Sequence, residues 1–367
     1  MSRVLARVTI CAMVCGLVVS PQPPVSADEP DGRLLNFPAE GSPPVFDPVT
    51  GSYVRLDRAT STMMISGNGT ICHINSSAAT SAPFQPFTSY RGPINFAVGS
   101  FAAEATRPTA LFAGSGGSDE LPMRVFDFGP PPSLLGEVPM PGIGGGLLIT
   151  SANLFGDPTH ELVLSNARSG GELHIVSLGS DDAFTIQPFP GYKGGLRTAA
   201  GDFDGNGVND VAVTQTENSA AVKILEVGDR SARAIAHGVA FTRPPAGGLI
   251  PEALNINGDR TDELLLMPGS GDPFVFIYNL APASPVLIGR VQAFDRPLSN
   301  PSFGAGLVDG RPAIFASSGS QIRMFAPSPD GTTWLMDTDF NNVHPFGPIG
   351  DRFQMFIEVF TPNSQPR

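Results

Sequence analysis

Asp202, Asp204, Asn206 and Asp210 occupy the first, third, fifth and ninth places of the loop 202–210, each with a side-chain oxygen, and the Val208 carbonyl falls at the seventh. Gly205 and Gly207 supply the tight bends that let one short turn fold its oxygens inward. This is the spacing with which calcium, a hard cation, collects six or more oxygen ligands. An EF-hand would need a helix on each side and a bidentate Glu at the twelfth place; that place is Val213, and both flanks read as strands. The loop must therefore join two strands. The same register recurs at Asn255, Asn257, Asp259 and Glu263, a second and weaker calcium candidate, in which two carboxylates have become amides and Arg260 stands where the first copy has Gly207. Asn153, Asp157 and Glu161 keep three oxygens around Phe155 and Pro158, which argues against a metal there, and Ser100, Ala102 and Glu104 have lost the set.

No motif of this kind points to catalysis. His73, His160, His174, His237 and His344 are spread over different stretches, with no HExxH pair and no nucleophile elbow. Gly142-Ile143-Gly144-Gly145-Gly146 lacks the Lys-Ser/Thr of a phosphate loop, and pairs such as Asp181-Asp182 lie in turns where carboxylates are simply solvated. Aromatic and cationic residues gather instead between the repeated stretches described next: Tyr90 and Arg91, Tyr192 and Lys193, Arg243 and Arg296. In an acidic chain such groups can stack on a sugar or hold an acidic ligand; the matched spacing of the two tyrosines is equally what packing within a repeat would produce.

The elements that must position these residues come from a repeat. Residues 87–101 match 189–203, with Phe, Tyr, a cation, Gly, an aliphatic, Ala, Gly and Phe at equal spacing, and the same unit returns around Gly142 to Leu154 and Gly247 to Ile256. The period is about fifty residues, the length of four short antiparallel strands with their turns. Second and third strands are expected at Thr62–Ile65 with Ile71–Asn75, Ala110–Ala113 with Met123–Phe128, Glu161–Leu164 with Glu172–Leu178, Asp210–Thr214 with Ala221–Val227, Glu263–Met267 with Phe274–Leu280, and Ala313–Ala316 with Gln321–Phe325. Tyr53–Leu56 would open the first blade. A further copy begins at Phe353–Phe360, and Arg33–Pro38 with Val45–Val49 would complete it from the other end of the chain.

One such sheet cannot bury both its faces, whereas sheets stacked around an axis can. No 3.6-residue periodicity is long enough for a sizeable helix. The expected fold is all-β, a seven-bladed β-propeller of four-stranded antiparallel blades, with six blades plus a terminal appendage as the alternative. A metal loop between two strands of a repeat of this length resembles the FG-GAP or VCBS repeat of integrin-like β-propellers. The resemblance covers roughly residues 45 to 360 and is specific mainly at Asp202 to Asp210. It implies a calcium-braced, non-catalytic module for adhesion or for recognition of an extracellular carbohydrate or protein ligand. A polysaccharide lyase or hydrolase with its site at the central channel is the alternative from another class, and a structural cell-envelope protein is the third.

Arg3 and Arg7 precede an apolar run from Val8 to Val19, and Val25-Ser26-Ala27 offers small residues before Asp28. This reads as a secretory signal over 1–27, with a single propeller domain over 28–367, and the run is too short for a membrane span. Its removal takes away two positive charges and no negative ones, moving the formal charge from −12 to −14. An acidic, secreted monomer follows, a poor partner for nucleic acid. Cys72 then stands alone, so no internal disulfide is expected. Two lysines, Lys193 and Lys223, against many arginines suggest a high-GC bacterial source.

Overall fold

Short apolar runs, rich in β-branched and aromatic residues and separated by glycine, proline and polar turns, form strands, and every regular element among the described residues is one. A computed structural model of the chain describes residues 33–35, 62–67, 69–75, 84–99, 110–117, 120–127, 132–140, 143, 146–157, 159–177, 183–228, 230–280, 285–299, 301–308, 311–318, 321–328, 334–339 and 356–360. Two strand pieces of the N-terminal region come first: β1 (Arg33–Leu35), then β2 (Thr62–Gly67) with β3 (Thr70–Asn75). Blade 1 is β4 (Ile94–Gly99), β5 (Ala110–Ser115), β6 (Met123–Asp127) and β7 (Ser133–Val138). Blade 2 is β8 (Leu147–Ala152), β9 (Glu161–Asn166), β10 (Leu173–Ser177) and β11 (Ala183–Ile186). Blade 3 is β12 (Leu196–Gly201), β13 (Asp210–Gln215), β14 (Ala221–Gly228) and β15 (Ser231–Val239). Blade 4 is β16 (Leu249–Leu254), β17 (Glu263–Pro268), β19 (Phe274–Asn279) and β20 (Val286–Gln292), with β18 (Ser270–Gly271) pairing to β21 (Leu298–Ser299) beside it. Blade 5 is β22 (Ser302–Val308), β23 (Arg311–Ser318), β24 (Gln321–Pro327) and β25 (Trp334–Asp339); β26 (Phe356–Phe360) ends the series.

Within each blade consecutive strands pair antiparallel, and the six strand pairs expected from the repeat are all found. The blade count is a correction. Among the described residues there are five four-stranded blades, not seven and not the six of the alternative. Counting copies along the sequence took the 62–75 hairpin and the 353–360 run as members of two different blades. In fact β26 pairs with β2, so both belong to one three-stranded sheet, β26-β2-β3, and β26 lies against the inner strands β22 and β4. Arg33 to Leu35 does not join that sheet either: β1 runs parallel to β15 on the outer edge of blade 3. The expected segments 1–27, 45–49 and 53–56 lie outside the described residues.

The core lies between blades. Second strands are covered on both faces by neighbouring blades, so β5, β9 and β17 are buried at every position, while the inner strands β8, β12 and β16 alternate. Val163, Leu173 and Ile175 of blade 2 pack on Val211, Val213 and Leu225 of blade 3. On its other face blade 3 presents Ala212, Val222 and Ile224 to Leu264, Leu266 and Phe276 of blade 4. Register slips at one place in the third strand of four blades, at Val125, Ile224, Ile277 and Met324, adding the local twist that a bulge brings. Inner strands β4, β8, β12, β16 and β22 surround the axis. Their last residues lead into the loops that hold the candidate metal ligands, and their first residues open the opposite mouth.

Candidate functional site

In the loop between β12 and β13 the carboxylates of Asp202, Asp204 and Asp210 converge, with oxygens lying within 4.8 Å of one another. The loop's own amides shape it. Asp202 accepts the Gly205, Asn206 and Gly207 N–H groups at 2.7–3.0 Å, and Asn206 Oδ1 accepts the Val208 N–H at 2.7 Å. Gly205 and Gly207 hold φ of 79° and 88°, the left-handed region these bends require. Asp210 is buried beneath them and accepts the Phe203 N–H at 3.2 Å. Burial, with repulsion from Asp204 and Asp202 against the Phe203 hydrogen bond, pushes its pKa up to about 8. Three converging carboxylates are hard oxygen donors of the kind a divalent cation takes.

The loop between β16 and β17 is closed by different means. Here Asn255 Nδ2 donates to the Asp259 carbonyl at 2.7 Å, and Asn257 Nδ2 donates to both Asp259 Oδ2 and Glu263 Oε1 at 2.9 Å. The two asparagine amides thus donate to acceptors within their own loop. The Thr261 N–H, then its hydroxyl, hold Asp259 below its ordinary pKa. In blade 2 Glu161 takes the ninth place, buried, with Oε2 accepting the Leu154 N–H at 2.9 Å.

A reciprocal clasp ties these loops blade to blade. Asn209 N–H donates to the Asn153 carbonyl and Asn209 Oδ1 accepts the Asn153 N–H; one blade on, Asp262 N–H donates to the Asp202 carbonyl and Asp262 Oδ2 accepts the Asp202 N–H. In blades 3 and 4 the residue before the second strand therefore fixes the first residue of the preceding blade's loop.

On the axis the five inner strands enclose a cavity of about 230 Å³. Asn95, Thr150, Ser151, Arg197, Thr198 and Glu252 give it polar walls, and Ile149, Ala200, Pro251 and Phe303 close the rest. Thr150 and Thr198 hydroxyls lie 2.8 Å apart across blades 2 and 3. Ser151 Oγ lies 3.1 Å from His160 Nδ1, the donor depending on the imidazole tautomer. The backbone of Gly99 lies against this pair; a side chain there would collide with Ser151. Burial lowers the His160 pKa against the attraction of Asp157, which keeps the ring neutral at pH 7. Arg197 reaches across to blade 4, where Nη1 donates to the Gly247 and Leu249 carbonyls at 2.9 and 3.2 Å. Burial pulls the guanidinium down to about 10, opposed by Tyr192 and Glu217.

The residues expected from sequence to meet a ligand separate into two groups. Tyr90 is 8% exposed, and its hydroxyl donates to the Pro93 carbonyl while meeting Ser115 Oγ and accepting the Gly117 N–H. Tyr192 packs on the blade 2–blade 3 core and donates to the Gly195 carbonyl at 3.1 Å. Arg91, Lys193, Arg243 and Arg296 are exposed in connections leading to inner strands. The channel residues Arg197, Glu252, Thr150 and Ser151 were missed. One signal was available: a charge and hydroxyls in strands otherwise made of alanine, glycine and aliphatics.

No family model matches the chain, and no curated protein matches it. Solved structures do. A putative 6-phosphogluconolactonase from Bacteroides uniformis is 14% identical with a TM-score of 0.50, over 80% of this chain and 85% of that one. A functionally unknown protein from Desulfotomaculum acetoxidans is 11% identical with a TM-score of 0.46, over 77% and 80%. The periplasmic gluconolactonase of Pseudomonas aeruginosa is 14% identical with a TM-score of 0.46, over 83% and 100%. The first of these likenesses identifies the fold as a β-propeller. The FG-GAP and VCBS resemblance rests on the repeat and the Asp202–Asp210 loop alone.

Proposed function

We propose that this protein is an exported β-propeller that binds a small carbohydrate-class ligand in its central channel and is braced by calcium at Asp202, Asp204, Asn206, the Val208 carbonyl and Asp210. The observation carrying the binding reading is the cavity of about 230 Å³ walled by hydroxyl, amide and charged groups from successive blades. Drug-sized ligands occupy roughly 300–1,000 Å³, so this space suits one sugar unit rather than a polymer. Calcium would neutralise the three converging carboxylates and hold the loop against blade 4 through the Asp202–Asp262 clasp.

The test is calorimetric titration of the purified protein with neutral hexoses, hexuronic acids, sugar phosphates and aldonolactones. One class should bind, and Thr150→Met, which extends a cavity-lining side chain and removes a hydroxyl paired with Thr198, should abolish that binding while the variant still unfolds cooperatively, at a somewhat lower melting temperature. A panel without a binder, or binding untouched by Thr150→Met, overturns the reading.

Hydrolysis is the second reading, favoured by the Ser151–His160 pair on the channel wall. Ser151 Oγ would attack an ester or lactone carbonyl as its proton passes to His160, the acyl C–O bond would break with its oxygen taking that proton, and water deprotonated by His160 would then release the acid and restore Ser151. Lactones belong in the panel because a solved structure of similar fold is described as a putative 6-phosphogluconolactonase. Ser151→Ala should then stop ring opening while binding, weakened by the loss of one hydroxyl contact, is still measurable. Turnover equal to that of the parent rejects the hydrolytic reading.

A further inference from the structure

Arg197 does more than its place in the fold requires. It is the second residue of its inner strand, and the second residues of the neighbouring inner strands are Asn95, Leu148 and Ile250. Asn95 uses that place to donate to the Leu147 carbonyl of the next blade. In blade 2 the second residue is Leu148, and Ser165 supplies the equivalent bond to the Leu196 carbonyl instead. In blade 3 the Leu249 carbonyl already accepts the Thr214 hydroxyl at 2.8 Å. The inter-blade bond is complete without Arg197, and an amide or an aliphatic side chain fills the place elsewhere.

What remains is the charge. Both hydrogen bonds of the guanidinium leave from Nη1, so Nε and Nη2 are not committed to the protein. Among the described residues no carboxylate forms an ion pair with it. Glu252 lines the same cavity but has its own contacts. A half-buried cation that meets no carboxylate in an ion pair is costly even with the charge of Glu217 acting on it from further off, and a planar fork with uncommitted donors matches the oxygens of a carboxylate or phosphate.

We propose that the channel ligand carries an anionic group, a carboxylate or a phosphate, and that Arg197 binds it. This rests on the binding reading above. The anion enters from the mouth where the inner strands begin, on the face opposite the Asp202–Asp210 loop. The hydroxyls of Thr150, Ser151 and Thr198 then meet the uncharged part of the ligand.

Three probes share one hexose ring and differ at the sixth carbon: glucuronate, glucose 6-phosphate and glucose. Each is titrated calorimetrically into the full-length protein and into Arg197→Met and Arg197→Lys, with inorganic phosphate as a fourth titrant for a bare anion. One charged hexose should bind about tenfold or more tightly than glucose, the gain of charge-assisted hydrogen bonds. Arg197→Met should erase that preference while keeping the affinity for glucose, and Arg197→Lys should keep a part of it. Equal binding of the three hexoses, or a preference that survives in Arg197→Met, overturns the inference and leaves the binding reading standing. No binding by any hexose overturns the inference, and the binding reading falls with it only if the aldonolactones also fail to bind. Binding of inorganic phosphate as tight as glucose 6-phosphate would show a site for a bare anion and overturn the proposal of an acidic sugar. Should Arg197→Met fail to fold, the ranking of the probes on the parent protein still decides.

Discussion

Replacing Glu161 by glutamine should make the protein relatively more stable at alkaline pH. Glu161 is 0% exposed at the start of β9, where Oε2 accepts the Leu154 N–H and Oε1 lies 3.5 Å from Ser177 Oγ. Burial pushes its pKa from 4.5 up to about 7; Asp157 adds to this, and the Leu154 and Ser177 hydrogen bonds oppose it. The folded state therefore holds the proton more tightly than the unfolded one. That contribution is fully present below about 4.5 and is lost as pH rises through about 7. At ~1.4 kcal/mol per pKa unit, the loss between pH 5 and 8 is about 2–3 kcal/mol. Glutamine keeps the size and the acceptor for Leu154 but cannot ionise. Urea unfolding at pH 5, 6.5 and 8, followed by Trp334 fluorescence and far-ultraviolet circular dichroism, gives the stability difference between variant and parent. His160, Asp210 and Glu263 titrate in both proteins, so to first order their contributions cancel in the difference. The difference should move in favour of the variant by about 2–3 kcal/mol across this range. A difference that stays constant, or moves towards the parent, would refute the reasoning.

Three further outcomes are expected. Calcium at about a hundredfold above its dissociation constant should add about 2.7 kcal/mol, seen as a melting temperature that chelator lowers; Asp204→Ala should abolish the response and Asn257→Ala should leave it intact. Tyr90→Phe should cost about 1–3 kcal/mol in urea unfolding, because the buried Gly117 N–H and Ser115 lose their partner, without changing hexose affinity in the same titrations. Gly201→Ala should destabilise by about 1–3 kcal/mol, since its Cβ would lie 2.6 Å from Ala253 Cβ and 2.9 Å from Asp262 Oδ2. Wild-type urea midpoints for that variant would show that the Asp202–Asp262 contact has room to spare.

Much of the architecture was legible because one repeat carries both its signals locally. In blades 2 and 4 the second strand carries an apolar run behind an acidic first residue, Leu162-Val163-Leu164 behind Glu161 and Leu264-Leu265-Leu266 behind Glu263, and the turn residues fall at fixed offsets. What the sequence could not carry was the closure. Whether Phe356–Phe360 and Thr62–Gly67 belong to one sheet or two depends on pairing across nearly the whole chain, and local pattern is silent on that. The ligand assignment depended in the same way on direction. Tyr90 and Tyr192 repeat because their hydroxyls serve the Pro93 and Gly195 carbonyls, three residues on, which a matched spacing reports without saying so. Arg197 breaks the repeat instead, and a position where equivalents are amide or aliphatic but one copy is charged is the stronger pointer to a ligand.

The same comparison explains why one loop differs from its neighbours in what it asks of a metal. The ninth-place carboxylate has a structural duty in three blades, since Glu161, Asp210 and Glu263 accept the N–H of Leu154, Phe203 and Ile256, the second residue of each loop. A glutamate there is long enough for its other oxygen to reach a donor: Ser177 Oγ in blade 2, Asn257 Nδ2 in blade 4. The aspartate of blade 3 is one methylene shorter, and the places that hold amides in blade 4 hold Asp202 and Asp204. Its buried carboxyl faces two more negative charges, where blade 4 supplies N–H donors. Burial pushes both carboxyls up, Glu263 to about 7 and Asp210 to about 8, but Glu263 also meets Asn257 within its loop whereas Asp210 meets the charges of Asp204 and Asp202. The difference between the self-closed loop of blade 4 and the acidic one of blade 3 therefore turns on the length of one side chain and the amide or acid nature of two others.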